Sequence, residues 1–245
     1  SYRGRYLVGA DGANSRVRRL LELDSHIRRG FALEGIVPYG ALEKEPRPEF
    51  LFGAANHGYG WLFPKGDHVN VGLYTIDDDP SLSKEALKAY CRERLGTDAI
   101  EGVFGMPLGF GGERRMPVRE RVVLVGDAGG YAEPLLGEGI HNAIKSGIAA
   151  ATAIAAAMRG GGRLQETYRR RIAPVMDDLA RCRQMADLFY PDVGRGKALL
   201  GLTKPALLRG FAAGKTMVEL SNLWLFSGFF RPVRPQSLEE FRSRG

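Results

Sequence analysis

A chain of 245 residues, 44% hydrophobic and 26% charged, has the composition of an ordinary globular protein and the length for one or two domains. It has no run of roughly 18 apolar residues of the kind a membrane span needs. Its two cysteines, Cys91 and Cys182, lack metal-ligand spacing, so neither a disulfide nor a metal site is expected and a reducing, cytoplasmic compartment fits best. The net charge of +7 arises in the last third, where Arg159–Gly245 holds sixteen Lys/Arg against eight Asp/Glu, and the preceding residues nineteen against twenty; with no RNA-binding aromatic signature and no zinc-finger spacing, nucleic acid is set aside as a partner.

No secretory signal opens the chain, because "SYRGRYLVGADG" passes from a basic start straight into a strand. "RYLVGADGANSRVRRLLEL" predicts a strand at Tyr6–Val8, a tight turn at Gly9–Gly12 and a helix capped by Asn14 or Ser15. Alternating strands separated by Gly and Pro turns follow at Phe31–Val37, Glu49–Ala54, Gly60–Pro64 and Val69–Thr75, the pattern of an antiparallel sheet. In "HGYGWLFPKGDHVNVGL" the two-residue period puts Tyr59, Trp61 and Phe63 on one strand face. Val69, Val71 and Leu73 are expected to form a matching apolar face after a turn at Lys65–Asp67. Three aromatics in line form a flat apolar wall suited to an extended hydrocarbon; on aromatic content alone, plain core packing is the simpler explanation.

"PSLSKEALKAYCRERLG" predicts a helix with Ser81 or Ser83 as cap and Gly96 as stop. Short strands are expected at Val103–Phe110 and around Met116, then a fully apolar strand at Arg121–Val125, of the kind found in doubly covered parallel sheets. A helix at Ile140–Met158 ends in "RGGGR". Beyond Leu164 the chain reads as helical and irregular, broken by Pro174, Pro191, Gly194, Gly196 and Pro205.

"VVLVGDAGGYAEPLLGEGI" carries the chemistry. A buried strand delivers Asp127 to its C-terminal edge, where open α/β sheets bind ligands and a carboxylate can accept hydrogen bonds from ribose or a polyol. Pro134 fixes the loop; Gly137 and Gly139 allow close backbone approach, and the helix from Ile140 directs free N–H groups and a partial positive charge at whatever precedes it. That end would favour a reduced, anionic ligand. A glycine-rich turn that merely packs helix on sheet is the alternative. A second strand-end turn, Asp11-Gly12, lies 116 positions before Asp127.

This pair of turns resembles the FAD-binding oxidoreductases of the aromatic-hydroxylase fold, and "GDAGGYAEPLLGEGI" is similar to their second flavin motif. The resemblance implies FAD as cofactor, contacted by Ala10, Asp11, Gly12, Gly126, Asp127, Pro134, Gly137, Gly139 and Ile140, with Asp127 on a ribose or ribityl hydroxyl and Gly139–Ile140 against the isoalloxazine. Tyr-x-Trp-x-Phe-Pro, the following Lys-Gly-Asp and "VNVGL", and Gly-Glu-Gly-Ile together resemble the geranylgeranyl reductase family. That implies reduction of isoprenoid C=C bonds on a polyprenyl lipid or diphosphate, with Tyr59, Trp61 and Phe63 against substrate and NAD(P)H or another reductant as electron donor. His57 and Tyr59 are the two proton-donor candidates named here, each more readily read as structural. A monooxygenase or halogenase of the same fold and a non-catalytic lipid-binding remnant are the alternatives.

The Gly-x-Gly-x-x-Gly unit with which that family begins does not occur in these residues, and there is no initiator Met, so an N-terminally truncated chain is expected. The fold class implied is α/β (α+β overall): part of a Rossmann-like FAD-binding domain (1–25 and 116–160), an inserted antiparallel-sheet substrate domain (26–115) and a helical C-terminal region (161–245). "LSNLWLFSGFFRPVR" mixes Leu, Trp and Phe with Arg, as segments that contact an anionic membrane do; a helix capping the substrate cavity is the other reading.

Overall fold

The computed structural model describes residues 3–22, 27–77, 79, 81–111, 117–194, 196–198, 201, 209–210, 213 and 215–221. The strand expected around Met116 and the aromatic–arginine segment from 222 onward lie outside them. Two compact units emerge: one from the residues up to Arg28, Gly109–Phe189 and those from Gly194 on, the other from Arg29–Leu108 with Tyr190–Val193.

In the first unit, β1 (Leu7–Gly9) lies parallel to β8 (Val122–Leu124), which pairs antiparallel with the two-residue β7 (Val118–Arg119). Gly9 is required here by packing, because a Cβ would fall 2.5 Å from Leu124 Cδ2 and 3.0 Å from Val17. The short α1 (Arg16–Leu20) follows β1, capped by Ser15 Oγ on the Arg18 amide. Helix α3 runs Ile140–Met158 and α4 Leu164–Phe189. They pack together and onto β8 through Val123, Ala149, Ala153, Tyr168, Ile172 and Leu179. Alanine-rich α3 has high intrinsic helix propensity and stops where Gly160 turns left-handed at φ +73°.

Pro174 does not break the chain as expected: it lies inside α4. An interior proline costs a helix about 3 kcal/mol. The cost is met by burial on both sides, with Tyr168 and Ile172 fully enclosed before it and Met176 and Leu179 after it, each side chain adding about 1.5–3 kcal/mol.

The second unit is a five-stranded sheet ordered β3-β4-β5-β2-β6, with β2 at Arg28–Pro38, β3 at Glu49–Phe52, β4 at Gly58–Pro64, β5 at His68–Thr75 and β6 at Glu101–Phe110. Helix α2 (Lys84–Leu95), capped by Ser83 and stopped by left-handed Gly96, covers one face. That face is built from Leu33, Val37, Leu62, Val71 and Leu73 with Leu87 and Leu95 of the helix. Under Tyr90 only a glycine fits, at position 60.

Val69, Val71 and Leu73 therefore belong to the α2 face and not, as expected, beside Tyr59, Trp61 and Phe63. The two-residue turn Gly66-Asp67, closed by Lys65 N–H to His68 O at 2.8 Å, sets Trp61 opposite Gly72 and Leu62 opposite Val71. Facing residues in an antiparallel pair share a face, and a one-residue change would swap it. The partners of the three aromatics are accordingly Tyr74, Gly72 and Asn70. Among the described residues, no helix is long and apolar enough to cross a membrane.

Candidate functional site

Parallel pairing of Leu7 with Val122 and Gly9 with Leu124 brings the ends of β1 and β8 out side by side, so the two acidic turns belong to one sheet edge. In the first turn Ala10, Asp11 and Gly12 are exposed, and Gly12 takes φ +74°. The Asp11 carboxylate is turned onto α1: it accepts from Ser15 Oγ at 2.5 Å and from the Arg16 and Val17 amides at 2.7 and 3.2 Å. Desolvation pushes its pKa up, but the hydrogen bonds from Ser15, Val17 and Arg16 outweigh that and hold it below the usual carboxylate range.

The second turn opens at Gly126, φ +56°, whose N–H donates to Ser146 Oγ at 3.0 Å. Ser146 lies on the buried face of α3 and donates in turn to Ala143 O. Asp127 is half-buried; its Oδ2 accepts the Gly109 N–H at 3.2 Å, and a Cβ on Gly139 would lie 3.3 Å from its Oδ1. The carboxylate thus stands against the N-terminus of α3. Burial pushes its pKa up, with the Gly109 amide and the Arg18 charge opposing.

Gly139 is the N-cap of α3 and offers no side chain. Among the described residues the Ile140 and Asn142 amides meet no acceptor, while Glu138 Oε1 takes the His141 N–H at 2.8 Å. That carboxylate offsets part of the positive end expected to meet a reduced anion. Ile140 is 78% exposed, and Pro134 is buried.

Two residues that the sequence did not single out hold these turns. Arg18, fully buried, donates through Nη1 to Asp127 O at 3.3 Å and Ala128 O at 3.1 Å, and through Nη2 to Ala13 O. One guanidinium therefore ties the first turn to the second. Glu133 closes the loop into α3: its carboxylate accepts the Leu135, Leu136 and Glu138 amides at 2.9, 2.6 and 3.3 Å, and its carbonyl accepts the Gly137 N–H at 3.0 Å. Gly137 takes φ +74° there. Burial raises the Glu133 pKa, and those amides work against it. Arg18 is one of five arginines in "SRVRRLLELDSHIRR"; Ser146 had a faint signal, as a polar residue in phase with the buried alanines of α3.

These residues fit a dinucleotide. A carboxylate oxygen turned to the bare helix end, left-handed glycines at 126 and 137, and a space that a Cβ on Gly139 would narrow make a cradle for a hydroxylated chain and a flat ring. Asp127, Gly137, Gly139 and Ile140 come together there; Ala10, Asp11 and Gly12 stand on the adjacent turn, with the Asp11 carboxylate already committed to α1.

In the second unit, Tyr59, Trp61 and Phe63 share a sheet face with Phe50, Phe52 and Tyr74. Successive ring centroids are 5.0–6.2 Å apart, from Tyr59–Tyr74 to Trp61–Phe63. Tyr59 and Trp61 are buried and Phe50 is half exposed. The indole lies across Gly72, where a Cβ would overlap it, and its Nε1 donates to Asn70 Oδ1 at 2.6 Å. Gly72→Ala is therefore expected to displace the indole and cost about 1–3 kcal/mol. In a Trp224→Phe background this reads as a lower melting midpoint and shifted Trp61 emission; if neither changes, the indole is not held over Gly72. His57, at φ +45°, sits at the entrance to β4 with Nδ1 2.5 Å from Asp77 Oδ2.

Residues 2–182 match the FAD binding domain family. The chain is 37% identical over 223 residues to the chloroplastic geranylgeranyl diphosphate reductase of Oryza sativa subsp. japonica, covering 87% of this chain and 45% of the relative. It is 33% identical over 165 residues to the digeranylgeranylglycerophospholipid reductase of Methanothrix thermoacetophila, covering 63% and 41%. A geranylgeranyl bacteriochlorophyll reductase-like protein from Thermoplasma acidophilum shares the fold with a TM-score of 0.64 at 20% identity, over 98% of this chain and 62% of that one. The flavin-dependent brominase Bmp2 also shares it, with a TM-score of 0.64 at 14% identity, over 99% and 64%. The chain spans about half the length of the curated relatives it matches.

Proposed function

The chain belongs to the FAD binding domain family, and on that premise we propose that it serves a flavin-dependent reductase of isoprenoid carbon–carbon double bonds, acting on a polyprenyl lipid or diphosphate. The observation that carries this reading is the aromatic face of the second unit, six rings in contact with Tyr59 at their centre. Relatives at 33–37% identity that are named as reductases of geranylgeranyl compounds support it.

In this reading Asp127 accepts a hydrogen bond from a ribose or ribityl hydroxyl. Gly137, Gly139 and Ile140 let the ring system approach the backbone at the α3 N-terminus, and Arg18 keeps the two turns at a fixed separation. Bound reduced FAD would supply the hydride, renewed by NAD(P)H or another electron donor. The rings of Tyr59, Trp61 and Phe63 hold the hydrocarbon and exclude water. Their faces favour the cationic character that develops as a trisubstituted alkene takes a proton.

The test is flavin analysis of the purified full-length protein, followed by anaerobic turnover with a geranylgeranyl diphosphate and a prenyl ether lipid, read by mass spectrometry. A gain of about two daltons per reduced bond, the mass of one hydride and one proton, is expected. Oxygen-dependent hydroxylation or halogenation with no such gain would replace the reading with a monooxygenase or halogenase; no flavin and no turnover would leave a lipid-binding remnant.

A further inference from the structure

The start of α3 carries more negative charge than its exposed backbone carries positive. Gly139 supplies no side chain as N-cap, yet three carboxylates gather on the residues around it. Glu138 Oε1 accepts the His141 N–H at 2.8 Å. Glu133 accepts the Leu135, Leu136 and Glu138 amides at 2.9, 2.6 and 3.3 Å, and its own N–H donates to Glu138 O at 2.8 Å. Asp127 Oδ1 lies 3.3 Å from the point that a Cβ on Gly139 would take.

Little opposes these acids among the described residues. The helix end contributes about half a unit of positive charge. The Arg18 guanidinium is shared among the carbonyls of Ala13, Asp127 and Ala128. The His141 ring and the Lys145 ammonium are on exposed residues of the same helix, where solvent screens them. Of the first three amides of α3, the middle one is already bonded to Glu138. A helix end without acids would stabilise a reduced, anionic ring; this one is built to offset that effect.

We infer that Glu138 lowers the reduction potential of the flavin bound at this helix end and so makes the reduced cofactor a stronger hydride donor. The assignment rests on the flavin reading of the site and involves residues of the first unit alone. Reduction adds negative charge to the ring system, and a carboxylate fixed at the helix end where Gly139 and Ile140 admit the ring disfavours that added charge. The hydrogen bond to His141 keeps the charge at the helix end instead of letting it swing into solvent. Glu138 is exposed, so screening holds the effect to a modest size. Its direction suits the proposed reaction, because an isolated trisubstituted alkene is a poor hydride acceptor and calls for a strong donor.

The test compares parent, Glu138→Gln and Glu138→Ala in the FAD-loaded full-length protein. Glu166→Gln, which alters an exposed acid in the first turn of α4, is the control. Two quantities are read: the flavin midpoint potential by spectroelectrochemical titration, and flavin release from the oxidised and the reduced protein. Glutamine keeps the acceptor for the His141 amide and removes only the charge. Glu138→Gln is therefore expected to tighten the hold on reduced relative to oxidised flavin about tenfold, which raises the two-electron midpoint by ~30 mV. Release of oxidised flavin should stay close to that of the parent. Glu138→Ala should shift the midpoint in the same direction, and Glu166→Gln should leave it unchanged. A parent-like midpoint in Glu138→Gln would overturn the assignment; beside a shifted Glu138→Ala it would make Glu138 a helix cap alone. An equal rise in Glu166→Gln would trace the effect to overall charge and overturn it too. So would a midpoint below that of the parent, or loss of oxidised flavin, in Glu138→Gln, with the flavin reading left standing. A parent that holds no flavin would overturn the flavin reading and this assignment with it.

Discussion

Arg18→Ala is expected to lower stability by about 3–5 kcal/mol, the range for removing one partner from a buried charged network. The guanidinium is fully enclosed and donates to three carbonyls, those of Ala13, Asp127 and Ala128. Hydrogen bonds to a charged group each contribute about 1.5–3 kcal/mol, and a buried acceptor left without its donor adds the cost of its lost solvation. Truncation also leaves a cavity beneath both turns. Arg18→Lys should recover less than half of the loss, because a single ammonium cannot span the two turns that a planar fork reaches. The neighbouring Arg19 is the control: it is exposed, and among the described residues its side chain donates only to Asn14 O, at 2.9 Å, so its alanine variant should stay within about 0.5 kcal/mol of the parent. Chemical denaturation of the three variants decides the matter. An Arg18→Ala midpoint indistinguishable from that of Arg19→Ala would mean that the two turns are held apart by something other than this side chain.

How far the sequence revealed this arrangement depends on the range of the forces involved. Ile140–Met158 and the ends of α2 could be read because the signals are local: alanine propensity, a serine hydroxyl on a first-turn amide, a glycine at positive φ. The shared face of Tyr59, Trp61 and Phe63 followed from strand geometry alone. Pairing partners did not, since the facing of Val71 against Leu62 is set by a two-residue turn whose length was one short of the expected one. Pro174 misled because a local penalty of a few kcal/mol was weighed without the burial of Ile172 and Leu179, which only tertiary packing reveals. Arg18 and Glu133 escaped for a related reason. Arg18 is one arginine in a basic run and Glu133 an acid in a Gly- and Leu-rich loop, and each acquires its role from contacts that no spacing rule encodes. The proximity of Asp127 to the start of α3 could be anticipated from their nearness along the chain; the commitment of Asp11 to Ser15 and α1 could not.

Asp127→Asn should separate binding from stability. Burial is the leading cause of the raised Asp127 pKa, only partly countered by one amide at 3.2 Å and by an arginine already occupied with carbonyls. For a carboxyl whose folded pKa lies above its unfolded one, the native state holds the proton more tightly, so stability declines as pH rises from the ordinary carboxylate range through the raised value. Neutralising the group removes that decline. Asp127→Asn is thus expected to be no less stable than the parent at neutral pH, with the difference vanishing in acid. Asp11 has the opposite sign: its pKa is lowered, its stabilisation is present above the unfolded carboxylate pKa, and it fades as pH falls through the folded value, so Asp11→Asn should cost stability at neutral pH and nothing in acid. A buried acid kept at a cost in stability is understandable if its free oxygen has a ligand to accept from. The same Asp127→Asn change should weaken flavin retention in the full-length protein by about 10–100-fold, or ~1.5–3 kcal/mol, the scale of one charged hydrogen bond. Thermal melts between pH 4 and 8, alongside a flavin-release titration, measure both halves. Retention equal to the parent, or a melting difference that grows in acid, would remove Asp127 from the cofactor site and with it the main reason for reading this strand end as a flavin cradle.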